Sequence, residues 1–195
     1  MSKATRPIPA GHEGLIPHLV CDPCADAIEF YKRAFGAEEI DRMAGPDGSI
    51  MHAEIRIGDS ILMLGEENEQ WGTKSPLSLN GVHGSLQIYV EDADAAFNRA
   101  LKAGATVRYP LEDAFWGDRY GKVTDPFGHE WGLATRVKDM TKAEMEKAGK
   151  EWMAKAAQNP SSVRQRLGRN RNAPTVPSAN AAAKPIRTGS PGRSE

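Results

Sequence analysis

The sequence predicts an α+β fold built from two copies of one βαβββ unit, and three observations carry that prediction. Strand-like, helix-like and turn-like stretches follow one another in the same order twice along the chain. Landmarks of the two copies keep step: Val20 and Val90 stand 70 residues apart (90 − 20), Gly58 and Gly128 again 70 (128 − 58), and Gly36 and Gly104 68 (104 − 36). Each unit supplies one helix for one sheet, so one sheet face is covered and the other is left open. Two such units side by side can enclose a concave pocket.

The elements follow from local rules. Residues 1–13 contain Pro7, Pro9 and Gly11 and read as a flexible lead-in to a domain over 14–136, with one module at 14–64, a connector at 65–81 and a second module at 82–136. Leu15 to Val20 is short and apolar, which suits a strand. Asp22 is placed to cap a helix whose first turn takes Pro23. The helix runs Cys24 to Phe35, with Ala27, Ile28, Tyr31 and Phe35 near one stripe, and Gly36 ends it. Ala37 to Met43 is extended, and Gly45-Pro46-Asp47-Gly48 turns the chain. In Ile50 to Ile57, alternation puts Met51, Ala53, Ile55 and Ile57 on one face and His52, Glu54 and Arg56 on the other. Gly58-Asp59 turns into a strand from Ser60 to Leu64.

After a polar, Gly-rich connector with Trp71 and Pro76 the pattern recurs. Ser85 to Val90 is a strand, Asp92 caps a helix over Ala93 to Ala103, Gly104 closes it, and Thr106 to Tyr109 is extended. A hairpin then pairs Arg119–Thr124 with His129–Ala134 across Asp125-Pro126-Phe127-Gly128, where Pro fixes φ at the second turn position. Thr141 with Glu144 three residues on is a capping box opening a helix within 137–157, whose only large apolar groups are Met145, Trp152 and Met153. Residues 158–195, rich in Pro, Ser, Asn, Ala and Arg, are expected to be disordered.

Composition bounds the function. Apolar residues make up 39% and charged residues 26% of the chain, ordinary values for a soluble globular protein. No apolar run approaches the ~20 residues of a membrane span, and the first residues lack the apolar core of a secretory signal. Two cysteines make no disulfide framework, so a cytoplasmic location and no membrane partner are expected. The net charge of −1 divides unevenly: the tail carries +6, leaving −7 (−1 − 6) for the rest. That tail has no aromatic side chain for base stacking, so nucleic acid is not an expected partner. Cys21-Asp22-Pro23-Cys24 has redox spacing, yet it stands at a strand–helix junction outside any thioredoxin-like pattern and reads as small packing residues.

Three stretches carry a resemblance: PHLVCDPCADAIEFYKRAFGAEEI, MHAEIRIGDSILML and FWGDRYGKVTDPFGHEW. Together they resemble the vicinal oxygen chelate superfamily of glyoxalases, bleomycin-resistance proteins and dioxygenases, in particular its PhnB-like branch, over about Gly14 to Arg136. The resemblance implies paired βαβββ modules forming a curved, mostly antiparallel sheet around one pocket, a homodimer, and a small-molecule ligand. It implies either lyase, isomerase or dioxygenase activity, or non-catalytic sequestration of a planar drug or toxin. Glyoxalase-type members hold a divalent metal with a His/Glu pair from each module. Carried over position by position, that quartet falls here on Leu15, Leu62 (Met63 if the register slips), Ser85 and Gly132, so no metal cofactor is expected. An off-register divalent metal set would be His83 and Glu130 with His52 or Glu54.

By alternation the pocket face carries His52, Glu54 and Arg56, then His83, Ser85, Gln87 and Tyr89, then Glu130 and Gly132; alignment on the first strand puts Leu15, Pro17 and Leu19 inward and His18 on the helix side. Glu54 and Glu130 are candidate bases, because a carboxylate in an apolar cup is made more basic. The competing reading pairs them with Arg56, Arg119 or Lys122 as structural ion pairs. Trp116, Asp118, Arg119 and Tyr120 are binding candidates: aromatic faces for stacking and a guanidinium fork for an anion. Gln87 and Tyr89 add hydrogen bonds on the pocket floor, with His52 and Arg56 beside them.

Overall fold

The doubled pattern becomes two four-stranded sheets in the computed structural model, which describes residues 5–158. The first module holds β1 (His18–Val20), α1 (Cys24–Phe35), β2 (Glu38–Ala44), β3 (Ile50–Ile57) and β4 (Ser60–Gly65). The second holds β5 (Ser85–Tyr89), α2 (Ala93–Ala103), β6 (Thr106–Asp113), β7 (Asp118–Thr124) and β8 (Glu130–Arg136), and α3 (Lys142–Gln158) follows. The strand orders, β1-β4-β3-β2 and β5-β8-β7-β6, are the same order twice. In each sheet the first strand lies parallel to the last and the other pairs are antiparallel. No described helix is long and apolar enough to cross a membrane. The tail beyond Gln158, where disorder was expected, lies outside the described residues.

The caps of α2 and α3 are local. Asp92 accepts from the Ala95 N–H at 2.8 Å, and Thr141 and Glu144 exchange the bonds of a capping box. The cap of α1 is not the expected one. Pro23 occupies the N-cap position, and the Cys24 N–H donates to Glu66 Oε1 at 3.1 Å. A carboxylate from the end of β4 thus serves the helix start in place of Asp22, which favours negative charge at that terminus equally well.

Two expected faces are corrected by register. Met51 is 43% exposed, because pairing of β2 with β3 shifts between Met43 and Ala44 and Ile50 takes the core position instead. On β1, His18 pairs with Met63 and Leu19 with Leu64. Cross-strand partners share a face, and Leu64 is fully buried, so Leu19 faces the core and His18 the open side. The His18 ring there stands edge-on to His52 at 6.1 Å. The strand begins at His18, which leaves Leu15 outside it and 94% exposed.

One core joins the modules. Phe30, Tyr31 and Phe35 of α1 meet Phe127 and Trp131 of the second module, with ring centroids 4.7 Å apart for Phe35–Trp131 and 5.2 Å for Tyr31–Trp131. Helices α1 and α2 pack on one another, and Phe97 and Ala100 extend the same cluster. The predicted Asp125 turn doubles as a latch. Its Oδ1 accepts the Phe127 and His129 N–H groups, and its Oδ2 accepts the Tyr31 hydroxyl at 2.8 Å and the Trp131 indole N–H at 2.9 Å. Cys21 and Cys24 are free thiols within this core. Hydrogen bonding to Cys24 and burial push the Cys21 thiol far up, so it stays neutral and unreactive.

Candidate functional site

A cavity of about 670 Å³ opens on the uncovered face of the second module beneath α3. Its floor is ionic and spans three strands: Arg108 of β6, Lys122 of β7 and Glu130 of β8. Arg108 Nε donates to Glu130 Oε1 at 2.9 Å, and Lys122 Nζ donates to Glu130 Oε2 and to Ser85 Oγ, both at 3.2 Å. Register puts Thr124 opposite Glu130 and Gly132 opposite Lys122, so the Lys122–Glu130 contact is a diagonal cross-strand pair. Burial alone would raise the Glu130 carboxyl; the bonds from Arg108 and Lys122 outweigh it and hold the group below its usual range. Glu130 is therefore ionised and weakly basic, better suited to orienting a ligand than to abstracting a proton.

The walls are aromatic. Tyr109, Phe115, Trp116 and Tyr120 come from β6, β7 and the loop between them, and Trp152 comes from α3. The rings form a chain, with centroids 6.0 Å apart for Tyr109–Tyr120, 5.4 Å for Tyr120–Trp116, 5.0 Å for Trp116–Phe115 and 5.7 Å for Phe115–Trp152. Gly132 makes room for this arrangement: a Cβ there would stand 3.1 Å from Tyr120 Cε2.

Asp118 lies behind the wall. It is wholly buried, and its Oδ2 accepts the Trp116 indole N–H at 2.9 Å and the Tyr89 hydroxyl at 2.7 Å. Arg136 Nε stands 2.6 Å from Oδ1, which accepts no aligned hydrogen bond and is matched by charge alone. Asp118 thus fixes the orientation of Trp116 and ties β5, β7 and β8 together.

The residues expected on one pocket face divide among several places. Trp116 and Glu130 line the cavity, as does Tyr120. Gln87 and Tyr89 line a second cleft, about 550 Å³, against residues of the lead-in. Arg119 is held by Asp94 on α2, at 2.8 and 3.0 Å, and by Asp113; the Asp94 carboxylate pushes its guanidinium further up. Arg56 pairs with Glu38, and His83 is an exposed residue ahead of β5. His52 and Glu54 sit on the open face of the first module, where His12 Nε2 donates to both Glu54 oxygens at 3.1 and 3.2 Å and His52 Nε2 lies 3.5 Å away. The hydrogen bond from His12 holds the Glu54 carboxyl low, and the same bond holds His12 high. The lead-in is thereby fastened to the sheet through a residue that carried no signal in the sequence. Arg108 and Tyr109 stand on a strand whose alternation alone assigns no face, and Phe115 lies in the loop after it, which begins beyond Asp113 rather than Tyr109. Trp152 had a signal, as a large ring on an otherwise polar helix.

The residues do not fit the metal quartet of the resembling families. Leu15 lies outside β1, Leu62 is buried in the core, Ser85 is bonded to Lys122, and Gly132 lies under Tyr120. In the off-register set, Glu130 is taken up by two cations in one module and His52 by Glu54 in the other, while His83 is an exposed residue outside the strands. Among the described residues, no three His, Cys, Asp or Glu side chains are placed to hold a metal ion.

Comparison with known proteins bears on the family and the fold. An uncharacterized protein of Mycobacterium bovis is 49% identical over 137 residues, covering 69% of this chain and 90% of its own. The solved structure of an Arabidopsis thaliana gene product superposes with a TM-score of 0.53 at 29% identity, over 62% of this chain and 97% of the other. A PhnB protein from Bacillus cereus shares the fold at a TM-score of 0.50 and 19% identity, over 63% and 99%. The family model for the Glyoxalase/Bleomycin resistance protein/Dioxygenase superfamily matches residues 15–133. The chain, with its doubled βαβββ unit, belongs to that superfamily.

Proposed function

We propose that this protein binds a planar aromatic small molecule in the cavity of its second module, without a metal, and sequesters it. The observation that carries the reading is the chain of five rings above a fixed ionic floor. A cavity of about 670 Å³ lies within the ~300–1,000 Å³ usual for small-ligand sites. Each ring that stacks on a ligand adds ~0.5–1.5 kcal/mol beyond area burial. Lyase, isomerase or dioxygenase chemistry would call on Glu54 or Glu130 as base, and both carboxyls are held low by their partners. A functional homodimer is part of the proposal: β5 is an edge strand, and Tyr89 at its end and Leu15 in the cleft beside it expose apolar surface that a second copy would cover. A cytoplasmic location is the remaining part, supported by two free thiols that a reducing compartment would preserve.

The test is titration of the full chain with 8-anilinonaphthalene-1-sulfonate, a planar anion, and ethidium, a planar cation. Saturable binding near one probe per chain, weakened by Trp116→Ala, is expected for at least one dye. Binding of neither, or binding untouched by Trp116→Ala, refutes the ligand site. Metal content near one ion per purified chain refutes the metal-free part, and a monomer in analytical ultracentrifugation refutes the dimer.

A further inference from the structure

Helix α3 lies beyond the stretch matched by the family model, which ends at residue 133, yet its Trp152 is part of the cavity wall. The helix is lightly held. Gly149 is its only buried residue, and Trp152 stays 36% exposed. Where it touches the domain, it touches the cavity: a Cβ on Gly149 would stand 3.3 Å from Phe115 Cε2, and the Trp152 ring lies 5.7 Å from that of Phe115.

Its root is fastened tightly. The N–H groups of Val137 and Lys138 both donate to the Gly117 carbonyl, at 3.0 and 2.9 Å. Gly117 has φ of +94°, and a Cβ there would collide with the Lys138 carbonyl oxygen, so this crossing requires glycine. Gly117 directly follows Trp116, so the root of the helix is hydrogen-bonded one residue away from the cavity wall. The Thr141–Glu144 capping box satisfies the first turn from within, and the helix start needs nothing from the domain. A firmly rooted, self-capped helix whose free half rests on Phe115 through Gly149 and Trp152 is able to pivot as a unit.

We propose that α3 is a lid on the cavity, hinged at residues 138–141, and that Trp152 is the surface it lays on the bound ring. The proposal rests on the cavity being the ligand site. In the closed position Trp152 adds one more stacking face; in the open position the mouth above Phe115 is clear for entry and release.

The experiment is stopped-flow binding of 8-anilinonaphthalene-1-sulfonate to the full chain and to Trp152→Ala, Trp152→Phe and Gly149→Leu. Loss of one stacking partner should speed release about tenfold in Trp152→Ala, and Trp152→Phe should recover most of it. Gly149→Leu should lift the helix off Phe115 and speed both entry and release. Thermal midpoints should stay near wild type, because neither residue belongs to the buried cluster. Hydrogen exchange supplies a readout free of ligand: amides of 146–158 should exchange together and well before those of β7 and β8. Wild-type rates in both Trp152→Ala and Gly149→Leu, or equal protection of α3 and β8, overturn the lid alone. A wild-type chain that binds no probe overturns the ligand site and the lid together.

Discussion

Replacing Asp125 with asparagine tests how the two modules are joined. Asparagine is isosteric and keeps Oδ1 for the Phe127 and His129 N–H groups. Its amide nitrogen, however, donates where Oδ2 accepted from Tyr31 and Trp131. The Tyr31 hydroxyl can rotate and accept; the Trp131 indole, a donor only, cannot. Two hydrogen bonds to a carboxylate, each worth ~1.5–3 kcal/mol, are exchanged for one neutral bond of ~1 kcal/mol, and a buried donor is left without an acceptor. The expected cost is about 3 kcal/mol. For a domain of this size each kcal/mol moves the thermal midpoint by ~2–4 °C, so a fall of about 6–12 °C should appear in circular dichroism melts at neutral pH. Because the latch crosses between modules, the melt should remain a single transition. Tyr31→Phe in the Asp125→Asn background should cost less than Tyr31→Phe alone, a coupling of ~1–2 kcal/mol. A midpoint drop under about 2 °C, or strict additivity of the pair, would show that the apolar core alone joins the modules.

The lead-in should loosen with rising pH. The Glu54 hydrogen bond raises His12, so its contribution is complete below ~6.5 and disappears as pH rises through the raised value; Glu54, held low chiefly by His12, keeps its part until pH falls below ~4.5. Proteolysis within residues 5–14 should therefore increase between about pH 6 and 9 in the wild type and stay flat in His12→Ala; identical profiles would remove His12 from the account. Glu130 has a depressed carboxyl, so its stabilising share is present above ~4.3 and lost as pH falls through its folded value. Glu130→Gln should be less stable by about 1 kcal/mol at pH 7, a gap that closes toward pH 3 in urea titrations; a gap that persists in acid would point away from the Arg108 and Lys122 pairs. Gly132→Ala places a methyl 3.1 Å from the Tyr120 ring and should swing it into the cavity. Dye binding should weaken about fivefold, equivalent to roughly 1 kcal/mol of overpacking, and an unchanged affinity would mean that Tyr120 does not shape the site.

What the sequence determined by itself was the succession of elements and their doubling. The bounds of α1, α2 and β3 were legible to the residue, and the Asp92 cap and the Thr141–Glu144 box were read correctly, because period, caps and turn residues act within a few positions of one another. Tertiary structure alone decided which faces met. A register shift in β2 exposed Met51, pairing with β4 turned His18 to the open side, and Glu66 displaced Asp22 as the cap of α1. It also brought Trp152 to Phe115 and gave Glu54 and Glu130 separate partners, His12 for one and Arg108 and Lys122 for the other. Alternation along one strand says which side chains go together but not which way they point, and direction is set by partners far away in the chain. A one-residue slip in pairing inverts a face, and nothing local to a strand reports it.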